Sequence, residues 1–162
     1  MIAITPAQRD DEIACARELF REYAAALPID LGYQGFAAEL GNLPGAYRPP
    51  AGALLLARVE GALAGCVAVR PIDARVCEMK RLYVRPRYRG AGVGPALVEG
   101  AIAAATACGY DALWLDTLAS MTTAQRLYAQ FGFRTIAPYG GPAAPGTRYY
   151  GLQLNAASPD PA

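Results

Sequence analysis

Three glycines in five positions, Gly90, Gly92 and Gly94, separate a strand-like stretch, Cys77–Val84, from a long run of small and branched apolar residues that ends at Gly109. The strand is closed by Arg85-Pro86. The turn Arg89–Gly94 then opens a helix to about Cys108, with Val93, Leu97, Ala101, Ala104 and Cys108 on its buried side. Val98, Ile102 and Ala105 widen that stripe, and Gly109 stands where helices end. Ala112–Asp116 follows as another strand. A strand, a crossover helix and a further strand call for a partly parallel sheet with helices packed on it.

The rest of the chain fits around this unit. Ile2–Thr5 reads as a first strand and Asp10–Leu27 as a helix, from Ile13, Ala16, Phe20, Tyr23 and Leu27 at intervals of three and four. Asp30–Leu43 reads as a shorter helix ending ahead of Pro44-Gly45, and Tyr47–Gly52 as a loop. Ala53–Val59 and Ala64–Arg70 form an antiparallel hairpin. Thr122-x-x-Gln125 is a capping box for a helix to about Phe131. Phe133–Ile136 and Arg148–Leu154 are strands on either side of a Pro/Gly-rich loop, Pro138–Gly146. The expected fold is a mixed α/β sandwich in one domain over residues 1–154, with a disordered tail from Asn155.

Composition narrows the chemistry. With 15 basic and 14 acidic residues, net charge +1 gives no general attraction to nucleic acid or an anionic membrane, so any anion site has to be local. No apolar run approaches the ~18 residues of a membrane span, and Met1–Thr5 does not read as a secretory signal. Cys15, Cys66, Cys77 and Cys108 form no C-x-x-C pair and read as buried free thiols in a reducing cytoplasm. The chain has no histidine, which removes the Ser-His-Asp and Cys-His arrangements, the H-E-x-x-H zinc site and the imidazole base. Proton transfer must then run on carboxylates, tyrosine, lysine or water.

The glycine turn supplies the local anion site. Its backbone N–H groups join the unpaired donors of the helix's first turn and the positive end of the helix dipole. Arg87 and Arg89 add charge at the same point. A P-loop would need Lys-Ser/Thr after the last glycine, where this chain has Pro95-Ala96. A dinucleotide fingerprint needs G-x-G-x-x-G, and here the third glycine falls one position early.

The spacing Arg89-x-x-Gly92-x-Gly94 resembles the acetyl-CoA signature Q/R-x-x-G-x-G/A of the GNAT superfamily of N-acetyltransferases. Ala124-x-x-Leu127-Tyr128-x-x-x-Gly132-Phe133 is similar to a second signature of that family. Glu78 lies 89 − 78 = 11 residues before the arginine, where many members carry a general-base glutamate. The resemblance implies a centrally splayed sheet flanked by helices. It also implies acetyl-CoA as cosubstrate, with direct transfer to a primary amine and no metal. Leu82, Tyr83 and Val84 would pair with the pantetheine arm in the slot beside Ala112–Asp116. The amides of Arg89, Gly90, Ala91, Gly92, Val93 and Gly94 would cradle the pyrophosphate, Glu78 would act as base, and Tyr128 would protonate the thiolate. A non-catalytic acyl-CoA-binding or sensing module is the alternative.

Two positions depart from the family pattern. Pro95 cannot donate an N–H to the cradle, and Met121 stands where an asparagine is frequent. Nothing in Tyr23–Arg48 matches a recognition motif, so the acceptor, an amine of a small molecule or a peptide, is unspecified. Neither nucleic acid nor a membrane is expected as partner, and a homodimer is permitted. Cys77, beside Glu78, reads as a buried thiol rather than an acetyl carrier. Asp116 reads equally as a substrate-side carboxylate or a turn cap. Tyr33, Tyr139, Tyr149 and Tyr150 are candidates for the pocket wall.

Overall fold

The computed structural model describes residues 1–155, so the expected disorder of the tail falls, after Asn155, outside the described residues. Alternation along four consecutive segments builds an antiparallel meander: β1 (Ile2–Pro6), β2 (Ala53–Val59), β3 (Ala62–Pro71) and β4 (Val76–Val84). The helix that opens at the glycine turn, α3 (Val93–Ala107), crosses over to β5 (Ala112–Thr117), which lies parallel to β4. Strand β7 (Arg148–Gln153) pairs antiparallel with β5 and carries a two-residue edge strand, β6 (Arg134–Thr135). The seven strands run in the order β1-β2-β3-β4-β5-β7-β6.

The two faces of the sheet bury different helices. On one, Val93, Leu97, Val98, Ala101 and Ala105 of α3 pack with Leu55, Val67, Val69, Cys77, Met79, Leu113 and Leu115. Helix α4 (Thr122–Gln130) joins this layer through Tyr128. On the other, Ala16, Leu19 and Phe20 of α1 (Asp10–Ala26) cover Leu54, Leu56, Cys66 and Ala68. Burying each Leu or Phe side chain stabilises the fold by about 1.5–3 kcal/mol, and this fixes which way each strand faces.

Three local expectations change. Asp30–Leu43 is not one helix: a 3-10 turn, Leu31–Gln34, and α2 (Phe36–Gly41) are separated by Gly35 at φ +70°. That left-handed residue ends one turn and starts the next, and Asp30 holds the first turn by accepting from the Gly32 N–H at 2.7 Å. The cap of α4 is Met121 rather than Thr122, and the Gln125 amide donates to the Leu118 and Ala119 carbonyls. The strand expected over Phe133–Ile136 shortens to Arg134–Thr135: Phe133 is buried in the core, and Ile136 keeps one bond to β7, from its N–H to the Tyr149 carbonyl at 3.0 Å.

The largest difference is a bulge inside β4. Arg81 sits at φ +61°, and the β3–β4 register shifts between Cys66 and Ala68. Upstream of it Cys77 and Met79 face α3, whereas downstream Leu82 and Val84 do. One extra residue has inverted the alternation.

Candidate active site

Strands β4 and β5 pair at only three positions, ending at Glu78↔Trp114, although both run on beyond that point. The bulge at Arg81 interrupts β4 just beyond that point, and a groove of about 770 Å³ runs along the end of β4 between it and α4. That volume is in the range of small-ligand sites. Leu82, Tyr83 and Val84 line one side, Arg89, Gly90, Gly92 and Gly94 the end, and α4 from Thr122 to Gln130 the other side. Of the expected cradle residues, Ala91 and Val93 do not line the groove. Ala91 is exposed and the Val93 side chain is in the core.

The end of the groove is built from backbone. Gly90 and Gly92 have φ of +80° and +90°, and Gly92 is the N-cap of α3. Among the described residues the amides of Gly90, Ala91, Gly92, Val93 and Gly94 donate to no backbone carbonyl. The first bond of the helix runs from Ala96 N to the Gly92 carbonyl at 3.2 Å. Pro95 is the third residue of α3 and brings no donor. Open amides at a helix start form a concavity for an anion. The Arg89 Nε donates to the Val84 carbonyl at 2.9 Å and fixes the loop to the end of β4.

A strained arginine in mid-strand costs of order 1–3 kcal/mol, and its surroundings hold it. The Arg81 guanidinium makes two bonds to the Glu39 carboxylate, at 2.9 and 2.8 Å, and a third to Gln34 Oε1 at 2.9 Å. It lies 5.1 Å from the Phe36 ring centre, and the Cys66 thiol donates to its carbonyl at 3.3 Å. Arg81 is 3% exposed. Glu39→Ala strips a buried charge of its partner, so we expect a loss of about 3–5 kcal/mol in chemical denaturation. A loss under about 1 kcal/mol would place the pair among weak surface bridges.

Where the groove passes the splay it meets a small cavity of about 50 Å³, sharing Tyr23, Leu27, Leu82 and Met121 with it. Tyr128 lines this cavity and is 5% exposed, with Phe133 and Tyr150 at ring-centre distances of 5.7 and 6.3 Å. Burial pushes its phenol well above the usual tyrosine range, so the hydroxyl keeps its proton. Lys80, Arg81, Asp116, Thr117, Tyr33, Gln34 and Thr147 add polar groups to the lining.

Glu78 is 3% exposed and outside the cavity wall. The Arg70 Nε donates to its Oε1 at 2.9 Å, and the Tyr139 hydroxyl to its Oε2 at 2.6 Å. Trp114, Tyr139 and Tyr149 pack in sequence beside it, one pair tilted and the next edge-on, with ring centres 5.1 and 5.4 Å apart. The structure thus brings Tyr128 to the cavity and holds Glu78 behind it. Of the tyrosines suspected as wall residues, only Tyr33 lines the cavity, and Tyr150 lies on the opposite face against Tyr128. Cys77 points into the core, and burial pushes its thiol up to about 12, which leaves it a poor nucleophile.

Lys80, Gln34 and the Arg81–Glu39 pair were not singled out from sequence as parts of the site. Only Lys80 had a signal, being two residues after Glu78 and so on the same face of β4. Among the described residues no helix is long and apolar enough to cross a membrane, and no three metal-ligating side chains cluster.

Comparison with known proteins agrees with this geometry. Residues 13–133 match the model of the acetyltransferase (GNAT) family. An uncharacterised N-acetyltransferase of Schizosaccharomyces pombe is 39% identical over 156 residues, 95% of this chain and 96% of its own. A GNAT-family acetyltransferase of Staphylococcus aureus Mu50 superposes with a TM-score of 0.76 at 22% identity, over 95% of this chain and 99% of that one. The yncA protein of Salmonella typhimurium, solved with its cofactor acetyl-CoA, superposes with a TM-score of 0.69 at 20% identity over 99% of each chain. The glycine turn, the splayed strands and these matches agree: the chain is an acyltransferase and belongs to the acetyltransferase (GNAT) family.

Proposed function

We propose that the protein transfers an acetyl group from acetyl-CoA directly to a primary amine of a small molecule or peptide, with no acetyl-enzyme. The observation that carries this is the groove itself, which leads from the open amides at Gly90–Gly94 to the cavity that holds the Tyr128 side chain. The residues present fit acetyl-CoA. The amides of the turn match a pyrophosphate, and beyond Glu78 the β5 side of β4 is unpaired, leaving Leu82–Val84 to bond a pantetheine arm as an added strand. Bound acetyl-CoA supplies an activated acyl group on a good leaving thiol.

The chain's own groups supply the rest. A backbone N–H in the splay polarises the thioester carbonyl. Tyr128 donates its proton to the departing sulfur. Glu78 takes the proton of the acceptor's ammonium at one remove, through a water, since its carboxylate is outside the cavity wall. With Cys77 turned into the core, no nucleophile competes with the amine.

Thiol release from acetyl-CoA across a panel of primary amines tests the reading; release with none of them overturns it in favour of a binding or sensing module. Glu78→Gln should keep acetyl-CoA affinity and slow transfer about 10²-fold or more at neutral pH. The deficit should shrink as pH approaches the amine's own pKa and free base becomes abundant. A rate equal to wild type from about pH 6 to pH 9 would leave Glu78 as an anchor for Arg70 and Tyr139.

A further inference from the structure

Six charged side chains gather where β4 and β5 part: Glu39, Arg70, Glu78, Lys80, Arg81 and Asp116. Four of them pair off, Arg70 with Glu78 and Arg81 with Glu39. Lys80 and Asp116 remain. Among the described residues no carboxylate lies within 4.0 Å of the Lys80 ammonium, and its one hydrogen bond is a 3.3 Å contact to Gln34 Oε1. Asp116 accepts no hydrogen bond from a described residue and caps no turn.

Both groups line the cavity. Each is two residues past the last paired positions, Glu78 and Trp114, on the sheet face that α1 covers. They therefore stand opposite each other across the splay, yet farther apart than an ion pair. Burial lowers the lysine's pKa and raises the aspartate's, and the attraction of each for the other only partly offsets this. Two opposite charges that face one cavity and form no contact ion pair are matched by a ligand that carries both.

We propose that this cavity selects an acceptor with an anionic group beside its amine, an amino acid, with Lys80 holding the carboxylate and Asp116 the ammonium. This deepens the acetyl-transfer reading and rests on it. The cavity's narrowness fits a head group of that size, while Tyr33, 45% exposed at the mouth, leaves the rest of the acceptor outside. Asp116 also brings the amine to the end of β5, beside the Tyr128 wall of the same cavity.

The test compares three acceptors of one skeleton, the amino acid, its carboxamide and its decarboxylated amine, on wild type, Lys80→Met and Asp116→Asn. Thiol release gives kcat and KM, and calorimetry in the presence of CoA gives acceptor binding without turnover. On wild type the amino acid should lead the decarboxylated amine by about 10- to 10²-fold in kcat/KM, mostly through KM, as expected for one charged hydrogen bond. Lys80→Met should erase that lead and leave acetyl-CoA binding unchanged. Asp116→Asn should weaken all three acceptors. Both variants should melt close to wild type, because neither residue belongs to a contact ion pair, whereas a structural ion pair would melt lower on losing either partner. Equal use of the three acceptors by wild type, or a lead that survives Lys80→Met, overturns the inference and leaves acetyl transfer standing. Thiol release with no acceptor, together with no acceptor binding by calorimetry, overturns both.

Discussion

Tyr128→Phe is expected to slow acetyl transfer about 10²- to 10⁴-fold while acetyl-CoA affinity changes little. The substitution removes one oxygen and keeps the ring that packs on Phe133 and Tyr150. If the hydroxyl served only the fold, the loss would be about one net hydrogen bond, roughly 0.5–1.5 kcal/mol of stability, and the rate would hold. As the acid for the leaving thiolate, its contribution grows with charge on sulfur and so appears in kcat rather than in binding. Burial suits the task, since it disfavours the phenolate and keeps a donor in place throughout the working pH range. A thioester of a more acidic thiol should partly rescue the variant. The acid role is refuted if the variant keeps more than about a third of wild-type turnover with chemistry rate-limiting, or if leaving-group acidity makes no difference.

Gly92→Asp is expected to abolish acetyl-CoA binding in a protein that still folds. A Cβ at this position would meet nothing nearer than Ile2 Cδ1 at 3.6 Å, so packing tolerates a side chain. The φ of +90° does not, and a non-glycine residue there costs about 1–2 kcal/mol. Gly92→Ala carries the same backbone cost without charge and serves as the control. The aspartate adds a negative charge among amides that would receive a pyrophosphate, and like charges so placed cost several kcal/mol, about 10²-fold or more in affinity. Circular dichroism establishes the fold and calorimetry the binding. An aspartate variant that is folded and binds acetyl-CoA within a few-fold of wild type removes the turn from the binding site.

Much of this architecture is legible in the sequence because it is written locally. Apolar periodicity places α1, α3 and the strands to within a few residues, and the spacing of the glycine turn is what suggests a local anion site. What stayed hidden depends on contacts between distant segments. Nothing near Arg81 marks a bulge, since the residue is neither glycine nor asparagine, and its conformation is enforced by Glu39 and Gln34 some forty positions earlier. For the same reason Glu78 looked like a poised base in sequence, while Arg70 and Tyr139 engage it in the fold. Lys80 became conspicuous only once its neighbours were seen to be paired with others, and Asp116, which the sequence leaves between a substrate-side carboxylate and a turn cap, lies within β5 on the cavity wall.

The clamp on Arg81 also bears on how such a protein can change its acceptor. Gln34 lines the cavity and Glu39 stands behind it on α2, so altering this segment is a direct way to admit a new substrate. Yet the same two side chains hold the bulge that parts β4 from β5, and Gln34 bonds Lys80 as well. Substitutions there cannot retune selectivity alone, because they also loosen the slot for the acyl donor. Lineages descending from this arrangement should therefore diversify first at the rim, around Tyr33 and Thr147, and keep Gln34 and Glu39 together or lose them together.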